Sequence, residues 1–68
     1  MFNGILTDKE RKVFILLVQG FDTRTIGFKL GISDKTVRNH ISNVMQKLGV
    51  NSRVGAVVEL LKLKEISL

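Results

Sequence analysis

The chain has 68 residues, a formal net charge of +5 and a sequence pI of about 10.1. A chain of this length forms one small domain, close to the lower size at which a hydrophobic core is stable without disulfides or metals. It contains no cysteine, which excludes a disulfide framework and a thiolate metal site, and no apolar run is long enough to span a bilayer. The excess of basic residues favours a polyanionic partner.

The beginning of the chain shows no targeting signal. The segment MFNGILT lacks both the basic region and the apolar core of a secretory signal. Together with the lack of cysteine, this predicts a cytoplasmic protein. We interpret residues 1–6 as a short lead into the first helix, and residues 1–68 as one domain.

The first predicted helix spans residues 8–19. Thr7 and Glu10 have the spacing of a capping box, in which each side chain accepts a hydrogen bond from the backbone amide of the other residue. Gly20 is expected to end the helix. Four apolar side chains cover most of its circumference and predict that it is heavily buried: Val13, Phe14, Leu16 and Leu17.

A shorter second helix is predicted for residues 23–30. Ile26 and Leu30 are one turn apart and are expected to point into the core. Gly27 has no side chain and allows a neighbouring helix to come close. Phe28 lies on the opposite side of the helix, where packing at the edge of the domain is favoured over contact with a partner.

A three-residue turn leads to the third predicted helix, residues 34–48. Gly31 provides the turn, Ile32 contributes to the core, and Ser33 caps the helix that follows. A short helix, a turn that contains glycine and a second helix with a polar outer face are typical of a helix-turn-helix unit.

This third helix has two opposite faces. One is an apolar face with helical spacing, formed by Val37, Ile41, Val44, Met45 and Leu48. At about 100° per residue, five polar residues lie roughly opposite: Lys35, Arg38, Asn39, Ser42 and Gln46. Side chains of these types can read base edges in a DNA major groove. In an isolated helix such a face would more often be merely solvated, and it is the rest of the chain that favours DNA.

A fourth helix, predicted to follow Ser52 and to end near Leu63, is apolar on two sides. One side carries Ala56, Val57, Leu60 and Leu63, and the other carries Val54, Val58 and Leu61. A helix of a small domain buries only one side against its own core, so the second side predicts a partner surface. The alternative is that the C-terminal residues KEISL fold back over it.

Three stretches carry a family resemblance: LTDKERKVFILLVQG, TIGFKLGISDKTVRNHISNVMQKLGV and SRVGAVVELL. Over residues 6–68 the chain resembles the bacterial LuxR/FixJ/NarL type of helix-turn-helix domain. The resemblance implies an all-α fold, a four-helix bundle containing a helix-turn-helix of LuxR type. It also implies a sequence-specific, double-stranded DNA-binding transcriptional regulator, either a stand-alone protein or the effector domain of a response regulator.

The resemblance also implies roles for individual residues. The third helix, about residues 34–48, becomes the recognition helix in the major groove. Base contacts are implied for Arg38, Asn39 and Ser42. A phosphate contact is implied for Thr36, and an approach to the DNA backbone for Lys35, Lys47 and Arg53. The fourth helix commonly serves dimerisation, which assigns the dimer interface to Val54, Val58 and Leu61. His40 matches a histidine usual in the family and is assigned a packing role, and no cofactor or metal is implied.

The second helix departs from the family pattern. The family usually has Glu-Ile-Ala where this chain has Thr25, Ile26 and Gly27. Phe21 and Phe28 stand where polar residues are more usual. The family's backbone contacts from this helix therefore transfer less well than those of the recognition helix.

These assignments predict a homodimer on double-stranded DNA with imperfectly palindromic half-sites about 10 bp apart, and RNA polymerase is a further candidate partner. The main rival is a DNA-free interaction module that binds RNA polymerase, a receiver domain or another regulator through the fourth helix and Phe28. A membrane-surface helix is disfavoured because a core explains the apolar faces. An enzyme has almost no support, because the chain has a single histidine, no glycine-rich phosphate loop and no obvious carboxylate pair.

Overall fold

The computed structural model describes residues 4–68, which form four helices joined by short turns. The helices are α1 (Asp8–Val18), α2 (Thr23–Leu30), α3 (Asp34–Leu48) and α4 (Arg53–Lys62), and the described residues contain no strand. The predicted all-α, four-helix architecture is therefore confirmed. Residues 1–3, which belong to the predicted lead, lie outside the described residues.

Side-chain caps set the beginnings of the helices. At α1 the capping box is confirmed: the Glu10 amide donates to Thr7 Oγ1 at 3.1 Å, and the Thr7 amide donates to Glu10 Oε1 at 2.9 Å. At the other three helices the cap accepts from the amide three residues along the chain, and these caps are Asp22, Ser33 and Ser52. Each such cap stabilises a helix by about 0.5–2 kcal/mol, so the helix starts are encoded locally.

The turn between α2 and α3 is tight. Gly31 has a left-handed backbone, with φ of 71°, a conformation that side chains with a Cβ disfavour. The Ile32 amide donates to the Gly27 carbonyl at 2.9 Å. A Cβ on Gly27 would lie only 2.7 Å from the Ile32 carbonyl oxygen. The close approach at Gly27 is thus made by the backbone of the turn, which holds the start of α3 against α2.

All four helices contribute to one hydrophobic core. The largest fully buried side chains are Val13, Phe14, Ile26, Val37, Ile41, Val44 and Leu60. Met45 and Leu48 are half-buried at its edge, so the predicted apolar face of α3 is confirmed. Each large side chain that is fully buried contributes about 1.5–3 kcal/mol of hydrophobic stabilisation. The rotation of α3 about its axis is consequently fixed by the core.

The C-terminal residues fold back against α1. Arg11 of α1 donates to the Glu65 backbone carbonyl, and also to Glu65 Oε1 at 3.1 Å, while Ile66 joins the core. This tail does not cover the second apolar side of α4, because Val54 is 74% exposed and Val58 is 44% exposed. The alternative that the tail closes this side is therefore wrong for these two valines.

Two other details of the predicted apolar sides of α4 are corrected. The helical spacing places Leu63 on the buried side, but it is 47% exposed, since α4 ends at Lys62 and the chain turns at Lys64, which has a positive φ of 59°. The same spacing places Leu61 on the free side, but it is half-buried and packs against the core. The free surface of α4 is accordingly centred on Val54 and Val58.

Phe28 does not pack at the edge of the domain, and that prediction is wrong. Its side chain is 89% exposed, because α2 turns Ile26 and Gly27 toward the core and Phe28 away from it. Phe21, by contrast, is half-buried against the core, with the Lys29 ammonium 4.7 Å from the centre of its ring. None of the described helices has the length and hydrophobicity that a bilayer span requires.

Candidate nucleic-acid interface

The outward side of α3 is a continuous polar surface, which we call the polar face. It consists of the five residues that the sequence pattern placed together, all of them exposed: Lys35, Arg38, Asn39, Ser42 and Gln46. The opposite side is held in the core by Val37, Ile41 and Val44. A helix of this width fits the major groove of DNA. Because the apolar side is fixed in the core, the donor and amide groups of the polar face point outward, away from the protein.

Arg38 is held by an ion pair on the surface of α3. Its Nη1 donates to Asp34 Oδ2, one turn earlier, and the Arg38 side chain is 52% exposed. A guanidinium has five N–H donors, so this contact leaves several donors for another group. The predicted base reader is therefore both accessible and oriented.

Asp34 lies where the starts of α2 and α3 meet. Its Oδ1 atom is buried and has no hydrogen-bond partner among residues 4–68. The Thr23 hydroxyl lies close to this carboxylate, although outside hydrogen-bonding geometry, and is the main cause that holds the pKa of Asp34 below the ordinary range; the Arg38 guanidinium and the charge of Arg24 act in the same direction. The carboxylate is ionised at neutral pH, and Arg24 is an exposed cation close to it.

The beginning of α3 offers groups suited to a phosphate. Ser33 Oγ accepts from the Thr36 amide at 3.0 Å, and the Ser33 hydroxyl donates to Thr36 Oγ1 at 2.8 Å. Thr36 Oγ1 acts as an acceptor in this contact, so its own hydroxyl hydrogen stays available to an outside oxygen. Lys35 is exposed beside it. Helix N-termini favour anions, which agrees with the phosphate contacts predicted for these two residues.

Lys47 makes contacts within the protein that the sequence did not indicate. Its Nζ lies 2.5 Å from Glu10 Oε1 and 3.2 Å from the Ile5 carbonyl oxygen. Only 4% of Glu10 is exposed. The contact joins the C-terminal end of α3 to α1 and to the segment before it. The phosphate contact implied for Lys47 stays a prediction. It requires that the Lys47 ammonium bind a DNA phosphate and the Glu10 carboxylate at the same time.

The ionisation of Glu10 depends on this contact. Burial raises the pKa of its carboxyl, but hydrogen bonds from Lys47 and from the Thr7 amide, together with the charge of Lys47, outweigh burial and leave the pKa below the ordinary value. The pair is therefore charged at neutral pH and holds α1 and α3 together electrostatically.

The remaining predicted residues lie outside the polar face. Arg53 is exposed as the first residue of α4. Val54 and Val58 form the exposed apolar surface of the same helix, bordered by the half-buried Leu61. His40 is half-buried on α3, a position compatible with the packing role assigned to it. Within residues 4–68, no three acidic or histidine side chains come together as a metal site would require.

Comparison with known proteins places this geometry in a family context. Residues 4–60 match the family described as GerE: Bacterial regulatory proteins, luxR family. The spore germination protein GerE of Bacillus subtilis (strain 168) is 61% identical over 64 residues, which cover 94% of this chain and 86% of that protein. A solved structure described as that of the transcription factor GerE matches with a TM-score of 0.93 and 54% identity, covering 96% of this chain and 97% of the other.

Longer proteins are also similar. The transcriptional regulatory protein DegU of Brevibacillus brevis is 52% identical over 58 residues, which cover 85% of this chain and 25% of that protein. The nitrate/nitrite response regulator NarP of Escherichia coli (strain K12) is 41% identical over 59 residues, covering 87% of this chain and 27% of that protein. The chain thus spans most of the length of one relative and about a quarter of the other two.

Proposed function

The chain belongs to the LuxR family of bacterial regulatory proteins, and from that premise we propose that it reads specific sequences in double-stranded DNA with α3 in the major groove. One observation carries the proposal: the polar face of α3 is exposed along its whole length, while the opposite side is locked in the core. A regulator that binds chromosomal DNA in a bacterium acts in the cytoplasm. Binding to duplex DNA that weakens steeply as salt rises tests the proposal, and its absence would favour a module that binds only proteins.

Three side chains of the polar face are proposed to select bases. Arg38 donates to O6 and N7 of guanine, and Asn39 pairs with N6 and N7 of adenine. Ser42 forms a single hydrogen bond to a neighbouring base edge. A good bidentate pair contributes about 1–3 kcal/mol of discrimination against the wrong base. Arg38 and Asn39 therefore dominate the proposed specificity.

A second group of residues is proposed to bind the phosphate backbone. Lys35, Thr36 and Arg53 contact phosphates, and Lys47 joins them where its ammonium also reaches the DNA. Arg24, exposed at the start of α2, lies close enough to Asp34 to belong to the same basic region. These contacts give affinity and salt dependence, but they carry no sequence information.

Dimerisation through α4 completes the proposal. The exposed Val54 and Val58, with Leu61 at their border, are proposed as a self-complementary apolar surface. Two recognition helices related in this way read half-sites about 10 bp apart, so the bound sequence is an imperfect palindrome. The Phe28 ring on α2 is 89% exposed, and a contact with RNA polymerase is proposed to use it separately from the dimer surface.

Replacing Lys35 by alanine is expected to weaken binding to all duplexes alike. One phosphate contact fewer lowers the slope of log affinity against log salt by about 0.9. Fluorescence anisotropy with a labelled duplex at several salt concentrations measures this slope. Lys12→Ala is the matched control. This lysine is exposed on α1, which packs against the side of α3 opposite the polar face, so it is expected to lie away from the DNA. A loss confined to one sequence would assign Lys35 to base reading instead.

Replacing Val58 by glutamate is expected to abolish cooperative binding while leaving the fold intact. The position is 44% exposed, so the new carboxylate is solvated in the monomer but lies opposite its own copy in a two-fold interface. The affinity ratio between a duplex with two half-sites and one with a single half-site measures the cooperativity. Leu63→Glu is the control, because this residue is 47% exposed and lies on the other side from Val54 and Val58. An unaltered ratio would place the interface elsewhere.

A further inference from the structure

We infer that Asp34 is a positioning residue that sets the base specificity of Arg38 and limits its contacts with the DNA backbone. The inference rests on the proposed function, since it concerns the way in which α3 reads DNA. Asp34 is itself no base reader in this account. It acts through Arg38, whose guanidinium it holds one turn away on the surface of the same helix.

The placement of Asp34 distinguishes it from an ordinary surface acid. Its Oδ2 accepts from Arg38 Nη1, whereas Oδ1 is buried without a hydrogen-bond partner among the described residues. The carboxylate is therefore enclosed on one side and engaged by Arg38 on the other. The pair therefore fixes Arg38 relative to the junction of α2 and α3, the two helices of the helix-turn-helix.

Holding Arg38 in this way affects the two kinds of DNA contact differently. A free arginine is long and flexible, and it can turn from a base edge to a nearby phosphate. With Nη1 engaged by Asp34, the guanidinium is held over the first turns of α3, and its remaining donors stay free for a guanine edge. The negative charge of Asp34 also repels phosphate oxygens. Both effects favour base reading over sequence-independent attachment.

This role differs from helix stabilisation alone. Asp34 is an acidic residue in the first turn of α3, which is favourable to the helix dipole, so its loss affects stability in any case. A purely stabilising residue would alter the melting temperature and weaken binding to all duplexes equally. A positioning residue alters the ratio between affinities for correct and incorrect bases, and it raises binding to unrelated DNA.

The test uses Asp34→Asn, which keeps the shape of the side chain and removes its charge. The probes are the duplex preferred by the unmodified protein, the same duplex with the Arg38-dependent base pair exchanged, and an unrelated duplex. We expect the affinity ratio between the first two to fall by about fivefold, the lower end of what one bidentate pair supplies. Affinity for the unrelated duplex is expected to rise by about twofold, because the repulsion between the Asp34 charge and the DNA phosphates is lost and one exposed charge interaction has about this size.

Two controls separate positioning from charge and from direct contact. Glu59→Gln removes the same charge and an ion pair with Lys62, on α4, and is expected to leave the ratio unchanged. In an Arg38→Ala background, Asp34→Asn is expected to have no effect on the ratio, because the residue through which it acts is gone. A double-mutant cycle over Asp34 and Arg38 measures this dependence.

The outcomes are distinguishable. If the unmodified protein shows no sequence preference, the proposed function fails and the inference fails with it. If Arg38→Ala lowers the preference but Asp34→Asn leaves the ratio intact, only the positioning role is overturned. A ratio that falls equally with and without Arg38 would mean that Asp34 contacts the DNA itself, which also contradicts the inference.

Discussion

Replacing Arg38 by alanine is expected to reduce discrimination at one base pair of each half-site by about 1–3 kcal/mol, which corresponds to about 5- to 150-fold in relative affinity. The Arg38 side chain is half-exposed on the polar face, and alanine removes every one of its donors that can reach a guanine edge. The fold is expected to persist, because Arg38 contributes nothing to the core. Competition between duplexes that differ at single positions measures the effect.

The specificity of the Arg38 result depends on a neighbouring control. Gln46→Ala removes another exposed side chain of the polar face, one to which no base contact is assigned. It is expected to leave every position of the preferred sequence unchanged. If Arg38→Ala weakens binding to all duplexes to the same degree, Arg38 binds phosphate, and the assignment of direct base reading is wrong.

Replacing Lys47 by methionine is expected to lower the free energy of unfolding by about 1–3 kcal/mol. Removing one partner of a fully buried ion pair typically costs about 3–5 kcal/mol. We expect a smaller loss here, because 36% of the Lys47 side chain is exposed and water can reach the Glu10 carboxylate in the variant. Methionine keeps most of the aliphatic stem. Urea unfolding followed by circular dichroism measures the change.

The matched control for Lys47 is a surface pair. Lys62 lies 3.8 Å from Glu59, and both side chains are well exposed. Lys62→Met is expected to change the unfolding free energy by less than about 1 kcal/mol. Equal losses for the two variants would show that burial of Glu10 has no energetic consequence.

The pH dependence follows from the lowered pKa of Glu10. Because folding lowers this pKa below its ordinary value of 4.5, the ionised carboxylate stabilises the fold fully above that pH. The stabilisation is lost as the pH falls through the folded-state pKa. The difference in stability between the unmodified protein and Lys47→Met is therefore expected to be large at pH 7 and to shrink in acid. If the difference in stability is the same across this pH range, the loss caused by Lys47→Met does not depend on the ionisation of Glu10.

Local signals in the sequence were sufficient for most of the architecture. Thr7, Asp22, Ser33 and Ser52 cap helices through contacts with amides three residues away, which a sequence pattern can represent. The two faces of α3 follow from helical spacing alone. The four-residue spacing of Asp34 and Arg38 is also visible in the sequence. The burial of Asp34 Oδ1, which gives the pair its significance, is visible only in the structure.

Contacts between distant residues could not be predicted in the same way. Lys47 and Glu10 are 37 residues apart, and a lysine near the end of a recognition helix is expected to bind phosphate unless the packing of α1 is known. The return of the tail to α1 depends on Arg11 and Glu65, which are 54 residues apart. Helical spacing correctly places Phe28 on the side of α2 opposite Ile26, but edge packing there requires a neighbouring segment that covers the ring, and the ring is 89% exposed.

Selection of duplexes from a random library by the unmodified protein tests the central claim most directly. The claim is that α3 reads base edges while a two-fold partner reads the same sequence in the opposite orientation. Selection is expected to enrich an imperfect palindrome with half-sites about 10 bp apart, bound with an affinity that falls steeply as salt rises. A pool that binds no better after selection than before would contradict the claim.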